Sequence, residues 1–366
     1  MSSSVAALGR RMVRVLIADD SAVMRRLLRM VFDTTPAVEV VAAVASGTEA
    51  LGEFSRVNPD LVLLDIEMPG MNGLEVLSAI RGQNRRVPII MCSTLTWRGA
   101  QITIEALSRG ATDYVTKPAA QKGVREAVSA LAGELIPKVL AFFPSGSPPL
   151  PRPRTVVAGV ISPAAGPPPR IVVIGVSTGG PAALEVLLPK MPASFPVPIL
   201  IVQHMPHLFT GLLAERLNSL CALRVREAVE GARIEPGVVE IARGDWHLEL
   251  SRDFRMHLNQ NEPENFCRPS VDVLFRSAAS ITSGRLLGVV LTGMGSDGLA
   301  GCRAIRQAGG TIFVQDAASS VIWGMPGAVA NAGLAHKTLP LEDIAREMMQ
   351  VVPREPARLV VSEAAL

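Results

Sequence analysis

The stretch Ile171-Val-Val-Ile-Gly175-Val-Ser177-Thr-Gly179-Gly180-Pro181-Ala-Ala-Leu-Glu-Val-Leu-Leu188 reads as a buried strand, a tight turn and a helix. Pro181 suits the first helical turn, where a missing N–H leaves no hydrogen bond unmade. Outward from it, Pro198–Val202, Leu286–Leu291 and Thr311–Val314 are further short apolar runs separated by helical or turn segments. From Arg170 to about Val352 this rhythm predicts an α/β domain with a parallel, doubly wound (Rossmann-like) sheet. Residues 353–366 show little pattern and are expected to form a tail.

Upstream, Pro144, Pro148, Pro149, Pro151, Pro153, Pro163 and Pro167–Pro169 predict a semi-extended linker over residues 133–169. Before the linker the β-α alternation returns. Val13–Ala18, Val38–Val44, Leu61–Leu64, Pro88–Met91 and Ala111–Val115 read as strands. Helices are expected over Ser21–Phe32, Glu49–Val57, Gly73–Arg81, Gly99–Arg109 and Ala119–Leu131. Five β-α units over residues 12–132 predict a flavodoxin-like domain.

Composition narrows the class. With 48% hydrophobic and 19% charged residues in a chain of 366, the protein is globular rather than disordered. A net charge of +3, from 36 basic and 33 acidic residues, supplies no strong field toward nucleic acid or a membrane surface. Ten Phe, three Trp and one Tyr leave few platforms for base stacking. Cys92, Cys221, Cys267 and Cys302 lie far apart with no C-x-x-C pair, so reduced thiols are expected. No apolar run reaches the roughly 18 residues that span a bilayer, and Val5–Leu8 precedes Arg10 and Arg11 in the reverse of signal-peptide order. A soluble cytoplasmic location is the expectation.

Chemistry-bearing residues gather at expected strand ends. Asp19 and Asp20 end the first strand and Asp65 the third, at the sheet edge where ligands bind. Three converging carboxylates repel one another unless a hard cation neutralises them, and Mg²⁺ suits that donor set. Ser93 and Lys117 follow the fourth and fifth strands, so a phosphoryl group on Asp65 would find a hydroxyl and an ammonium there. An Asp-Asp pair before Ser21 also fits simple helix capping.

In the second domain, Gly175-x-Ser177-x-Gly179 has nucleophile-elbow spacing, and the N–H groups of the following helix start could stabilise an oxyanion. His204 follows Pro198–Val202 and is a candidate base, with Asp297, after Leu286–Leu291, to hold its tautomer. His207 would make a metal pair with His204, but Pro206 and the lack of an acidic or cysteine cluster nearby argue against it. A generic Ser-Gly turn explains Ser177 equally well by itself. Gly293-x-Gly295-x-x-Gly298 also matches a dinucleotide fingerprint, with Asp316 as its ribose ligand. His247, His257 and His336 are read as surface or internally satisfied.

Two resemblances assemble these pieces. Asp19-Asp20, Asp65-x-x-Met68-Pro69-Gly70-x-x-Gly73, Ser93 and Lys117-Pro118 resemble the receiver domain of two-component response regulators. That resemblance implies Asp65 as phospho-acceptor, Asp20 as principal Mg²⁺ ligand with Asp19 assisting, Ser93 as switch hydroxyl and Tyr114 as switch aromatic. Gly175-x-Ser177-Thr-Gly-Gly-Pro181, Gln203-His204-Met205-Pro206, Arg268-Pro-Ser-Val-Asp-Val-Leu-Phe275, Leu291-Thr-Gly-Met-Gly-x-Asp-Gly298 and Gly324-Met-Pro326 resemble the chemotaxis protein-glutamate methylesterases, the CheB type. Arg243 departs from the family's usual Ala-Pro-Gly.

The second resemblance implies a Ser177, His204, Asp297 triad that hydrolyses glutamate γ-methyl esters on chemoreceptors and deamidates glutamines, with backbone N–H groups around Thr178 and Met294 at the oxyanion. It implies a chemotaxis histidine kinase as phosphodonor, a receiver that covers the catalytic opening until phosphorylated, and Mg²⁺ for the receiver only. The rival expectations are a receiver-controlled adaptor without turnover, a dinucleotide-dependent oxidoreductase and, against the balanced charge, a DNA-binding output domain.

Overall fold

The computed structural model describes residues 12–118, 123–143 and 167–353, which form two compact units. The first is β1 (Val13–Ala18), α1 (Ala22–Asp33), β2 (Val38–Val44), α2 (Gly47–Val57), β3 (Leu61–Asp65), α3 (Gly73–Gln83), β4 (Ile89–Ser93), α4 (Trp97–Ser108), β5 (Asp113–Thr116) and α5 (Val124–Phe142). Its five strands are all parallel in the order β2-β1-β3-β4-β5, so the chain reverses direction across the sheet between β1 and β3. That switch point is where ligands meet an open α/β sheet.

Local chemistry sets the helices. In α1, Met24, Leu27, Leu28, Val31 and Phe32 are buried at helical spacing. Ser21, Ser46 and Thr96 cap the N-termini of α1, α2 and α4, and Asn72 with Glu75 forms a reciprocal capping box on α3. The last helix corrects an expectation. Instead of ending at Leu131 before a linker that starts at residue 133, α5 runs on through Pro137 to Phe142. Leu131, Leu135 and Val139 continue one buried stripe against the core of this unit. Pro137 sits inside the helix and removes one N–H from its ladder. The rest of the expected linker, 144–166, and of the expected tail, 354–366, lies outside the described residues.

The second unit comprises β6 (Ile171–Val176), α6 (Gly180–Leu187), β7 (Ile199–Gln203), α7 (His207–Leu220), β8 (Arg224–Glu227), β9 (Val238–Ile241), β10 (His247–Leu250), β11 (Met256–Asn259), α8 (Val271–Thr282), β12 (Leu286–Val290), α9 (Leu299–Gln307), β13 (Thr311–Gln315), α10 (Met325–Asn331), β14 (Lys337–Leu339) and α11 (Leu341–Val351). Seven strands pair in parallel in the order β14-β13-β12-β6-β7-β9-β8, and β10 with β11 forms a separate antiparallel hairpin. β6, β7 and β12 are buried at every position, as expected of strands covered by helices on both faces. The strand order reverses between β12 and β6. Among the described residues, no helix is long and apolar enough to cross a membrane.

Candidate functional site

Ser177 directly follows β6, His204 follows β7, and Asp297 lies in the loop after β12. Those three strands are neighbours and parallel, so all three side chains leave the sheet at its carboxyl edge. Backbone hydrogen bonds stitch the loops together: His204 N–H to the Val176 carbonyl at 3.3 Å, and Ser177 N–H to the Thr292 carbonyl at 3.0 Å. Gly179, at φ 78°, makes the turn into α6. Gly293 lies so close to Ser177 that a Cβ there would sit 2.8 Å from the Ser177 Cβ.

His204 Nε2 donates to Asp297 Oδ2 at 2.8 Å. Asp297 is only 3% exposed, yet its charge is well supported. Oδ1 accepts from Asn265 Nδ2 (2.9 Å), Ser270 Oγ (2.9 Å), Asp272 N–H (3.0 Å) and Gly298 N–H (3.0 Å), and Oδ2 also takes the Val271 N–H at 2.7 Å. Two of these donors open α8, so the positive end of a helix dipole points at the carboxylate. Burial alone would raise the Asp297 carboxyl, but His204 and the backbone donors hold it well below the usual carboxylate range. Burial likewise opposes a charged imidazole, yet the bonds to Asp297 and Cys267 lift His204 above its ordinary value.

With Nε2 committed to Asp297, the ring nitrogen left to accept a proton is Nδ1. Among the described residues Nδ1 makes no hydrogen bond to the Ser177 hydroxyl and instead faces the Cys267 thiol, 3.6 Å away. Such bonds are commonly long without substrate. Thr178 is buried, with its carbonyl accepting from Thr292 Oγ1 at 3.0 Å, and Met294 is half-buried in the β12–α9 loop.

Several contributors escaped sequence reasoning. Gln203 Nε2 donates to the carbonyls of Ser177 (3.0 Å) and His204 (3.4 Å), clamping the loops after β6 and β7 together. Gly180 leaves room for this amide, since a Cβ there would collide with Gln203 Oε1. Asn265 and Ser270 fix the Asp297 carboxylate. Buried His247 accepts the Ser270 N–H on Nδ1 (3.2 Å) and reaches the Glu262 carbonyl through Nε2 (3.1 Å), so it is internally satisfied and braces that segment. Only the quoted Gln203-His204 and Arg268–Phe275 motifs pointed toward these positions.

The alternative readings find other structure. His207 pairs with Asp245 at 2.7 Å rather than with His204. Asp297, within the dinucleotide fingerprint, is buried and bonded to His204, while Asp316 Oδ1 takes the Ser319 N–H at 2.9 Å and secures its own turn. His257 meets Glu230, and His336 lies against Arg306 and the Ile312 N–H.

In the first unit, Asp19, Asp20 and Asp65 bring carboxylate oxygens within 4.8 Å of one another at the β1–β3 switch point. Lys117 Nζ is 2.7 Å from Asp65 Oδ1 and 2.9 Å from Asp19 Oδ2. Burial, reinforced by Asp19 and opposed by Lys117, pushes the Asp65 carboxyl up to about 6. Asp65 Oδ2 is buried without a hydrogen-bond partner among the described residues. An orphaned carboxylate oxygen among hard oxygen donors fits a divalent cation. Asp20 is exposed and lines a cleft of ≈ 490 Å³ with Glu67, Met68, Asn72 and Arg98. Gly73 has a steric reason: a Cβ there would collide with the Asp65 carbonyl.

Ser93 is not turned into this cluster. Its hydroxyl accepts from Thr103 Oγ1 at 2.6 Å and reaches the Gly99 carbonyl at 3.3 Å, both on α4. Tyr114 is buried at 5% exposure under the Lys138 ammonium, 5.1 Å from the ring centroid.

Residues 172–348 match the CheB methylesterase family and residues 15–129 the response regulator receiver domain family. A protein-glutamate methylesterase/protein-glutamine glutaminase of Trichodesmium erythraeum is 47% identical over 352 residues, covering 92% of this chain and 98% of the relative. One from a Nocardioides species is 46% identical over 362 residues, covering 96% and 99%. The chain belongs to the CheB methylesterase family. The crystal structure of the Thermotoga maritima CheB methylesterase catalytic domain matches with a TM-score of 0.50 at 41% identity, covering 50% of this chain and 99% of that one. CheB membership joins a receiver and a catalytic domain in one chain, as the two resemblances implied.

Proposed function

We propose that this chain is a phosphorylation-controlled hydrolase of glutamate γ-methyl esters on chemoreceptors, and a deamidase of receptor glutamines, with Ser177, His204 and Asp297 as its catalytic residues. The observation that carries the reading is the 2.8 Å bond from His204 to an Asp297 held by five other donors, beside a serine on a strand-to-helix turn. Asp297 fixes the Nε2–H tautomer. When an ester carbonyl docks, Ser177 Oγ attacks it and His204 Nδ1 takes the hydroxyl proton. The N–H groups of Thr178 and Met294 receive the oxyanion. The imidazolium returns its proton to the methoxy oxygen, so methanol leaves and an acyl-enzyme remains. Water, deprotonated by the same nitrogen, then releases the glutamate and restores Ser177. A glutamine side chain follows the same course with ammonia leaving.

In the receiver, Asp65 is the phospho-acceptor. Asp19, Asp20 and Asp65 would hold Mg²⁺, which supplies charge neutralisation when bound. Lys117 contributes a second positive charge at Asp65, and Ser93 must leave Thr103 and Gly99 to meet a phosphoryl oxygen. That exchange, with movement of Tyr114, is the switch we assign to this domain. The phosphodonor is a chemotaxis histidine kinase and the location the cytoplasm. The receiver extends to about residue 143 and the catalytic domain spans about 167–353, with the Pro-rich stretch between them.

The test is methanol release from methylated chemoreceptor membranes, with and without Mg²⁺ plus a small-molecule phosphodonor. Release that rises with the phosphodonor and disappears in Ser177→Ala is the expected result. No release from folded protein under either condition rules the reading out and favours a non-catalytic adaptor.

A further inference from the structure

The thiol beside the catalytic imidazole has no part in the chemistry above. Cys267 leaves a two-residue turn in which Asn265 and Phe266 both adopt left-handed backbone, at φ 54° and 63°. Glu264 and Cys267 close the turn with reciprocal N–H to carbonyl bonds of 3.1 and 2.9 Å. The Asn265 amide ties the turn to Asp272 Oδ2 and Asp297 Oδ1, each at 2.9 Å. The position of the Cys267 backbone beside His204 is thus fixed by bonds that do not involve its own side chain. Its Sγ lies 3.6 Å from His204 Nδ1.

That separation matches the edge of a metal tetrahedron. Zinc–nitrogen and zinc–sulfur bonds of about 2.0–2.1 and 2.3 Å, opened to a tetrahedral angle, place the two donors about 3.5–3.6 Å apart. The far side of the ring is already prepared, because Nε2–H donates to Asp297, the carboxylate–histidine arrangement that orients metal-bound imidazoles. We propose that His204 Nδ1 and Cys267 Sγ form an inhibitory site for a thiophilic divalent cation, Zn²⁺ foremost. Asp297 braces the imidazole from its far side, and water fills the open positions.

A thiolate with an imidazole selects Zn²⁺ over Mg²⁺, which keeps to the oxygen donors of the receiver. Ser177, His204 and Cys267 are all partly exposed, so the ion has access. Binding releases the thiol proton to solvent, forms N–metal and S–metal bonds, and occupies the one nitrogen able to take the Ser177 proton. Free zinc would then silence ester hydrolysis whatever the phosphorylation state. The inhibitory consequence rests on the esterase reading; the binding site does not.

Two readouts on the full chain separate the claims. Adding Co²⁺ should give sulfur-to-cobalt charge-transfer absorption that Zn²⁺ displaces and Cys267→Ser removes, while Cys221→Ser retains it. Cobalt in the acidic receiver cluster gives no such band, having oxygen donors only. Zn²⁺ should inhibit methanol release reversibly by chelator. Relative to its own metal-free rate, Cys267→Ser should need at least about tenfold more zinc for half-inhibition. Zinc should also protect Cys267 of the unmutated protein from iodoacetamide, read by peptide mapping, which holds even if the variant folds poorly. Absence of the cobalt–sulfur band, or equal zinc sensitivity in Cys267→Ser, overturns the site. A band without any metal-free esterase activity upholds the site and refutes the esterase reading instead.

Discussion

Asp297 Oδ2 accepts a hydrogen bond from His204 Nε2–H at 2.8 Å, which leaves Nδ1 as the only ring nitrogen able to act as a base. The same bond ties the rate to pH. A base must be neutral, and His204 sits above the ordinary imidazole value, so its neutral fraction grows as pH rises. We therefore expect kcat/KM for methyl-ester hydrolysis to climb through the alkaline range. In Asp297→Asn the carboxylate charge is gone, the imidazole loses protons at lower pH, and the limb moves down. The rate should fall by about 10⁴, because the amide no longer fixes the productive tautomer. A pH–rate profile with its limb unmoved in Asp297→Asn contradicts this account.

Gly293 tests the nucleophile's placement. A methyl group there would lie 2.8 Å from the Ser177 Cβ and also strike Met325 Sδ, so Gly293→Ala must push the serine out of line. A misplacement of about 1 Å costs on the order of 10²-fold in rate. We expect kcat to fall by that order while the circular dichroism spectrum stays unchanged. Wild-type turnover in this variant would mean that Ser177 does not attack from the position it occupies here.

The receiver's cation binding should weaken in acid. Burial pushes the Asp65 carboxyl up to about 6, against the pull of Lys117, so below that pH a proton competes for the oxygens a cation needs. Calorimetric titration of the full chain should show Mg²⁺ affinity dropping as pH falls from about 7.5 to about 5. Asp20→Asn should weaken binding at both. Affinity that holds constant across this range would place the cation away from Asp65.

What could be read in the sequence depended on how local the signal was. Strands such as Ile171–Val176 and Leu61–Asp65 are buried at every position, and IVVIGV and the LVLL of the second announce themselves as unbroken runs without a charge. Ser177, His204, Asp297, Asp65 and Lys117 each lie within a few residues of such a run, so a strand-end argument reaches them. β8 and β9 do not qualify. Arg226 can join a strand because Glu240, wholly buried on the neighbouring strand, meets it at 2.7 Å, and that pairing exists only once the sheet has formed. Cys267, Asn265 and Gln203 were missed for the same reason: each acts on a residue brought near by the fold. Ser93 was found, but not the fact that Thr103 holds its hydroxyl away from Asp65.

The length of α5 is where composition misled, and it gives a stability prediction. Residues after 132 read as the start of a proline-rich linker, in which a leucine would contribute little. In the structure Leu135 is wholly buried in the core cluster of the receiver. Leu135→Ala removes buried methyl groups and leaves a cavity, which costs about 2–5 kcal/mol. The receiver's transition in denaturant should move by that amount, followed in the full chain by loss of Mg²⁺-dependent phosphorylation of Asp65. Lys138→Ala would remove the 2.6 Å bond to the Tyr114 carbonyl and should cost less, about 1–2 kcal/mol. A Leu135→Ala receiver as stable as the wild type would return residues 133–142 to the linker and end the domain at Leu131.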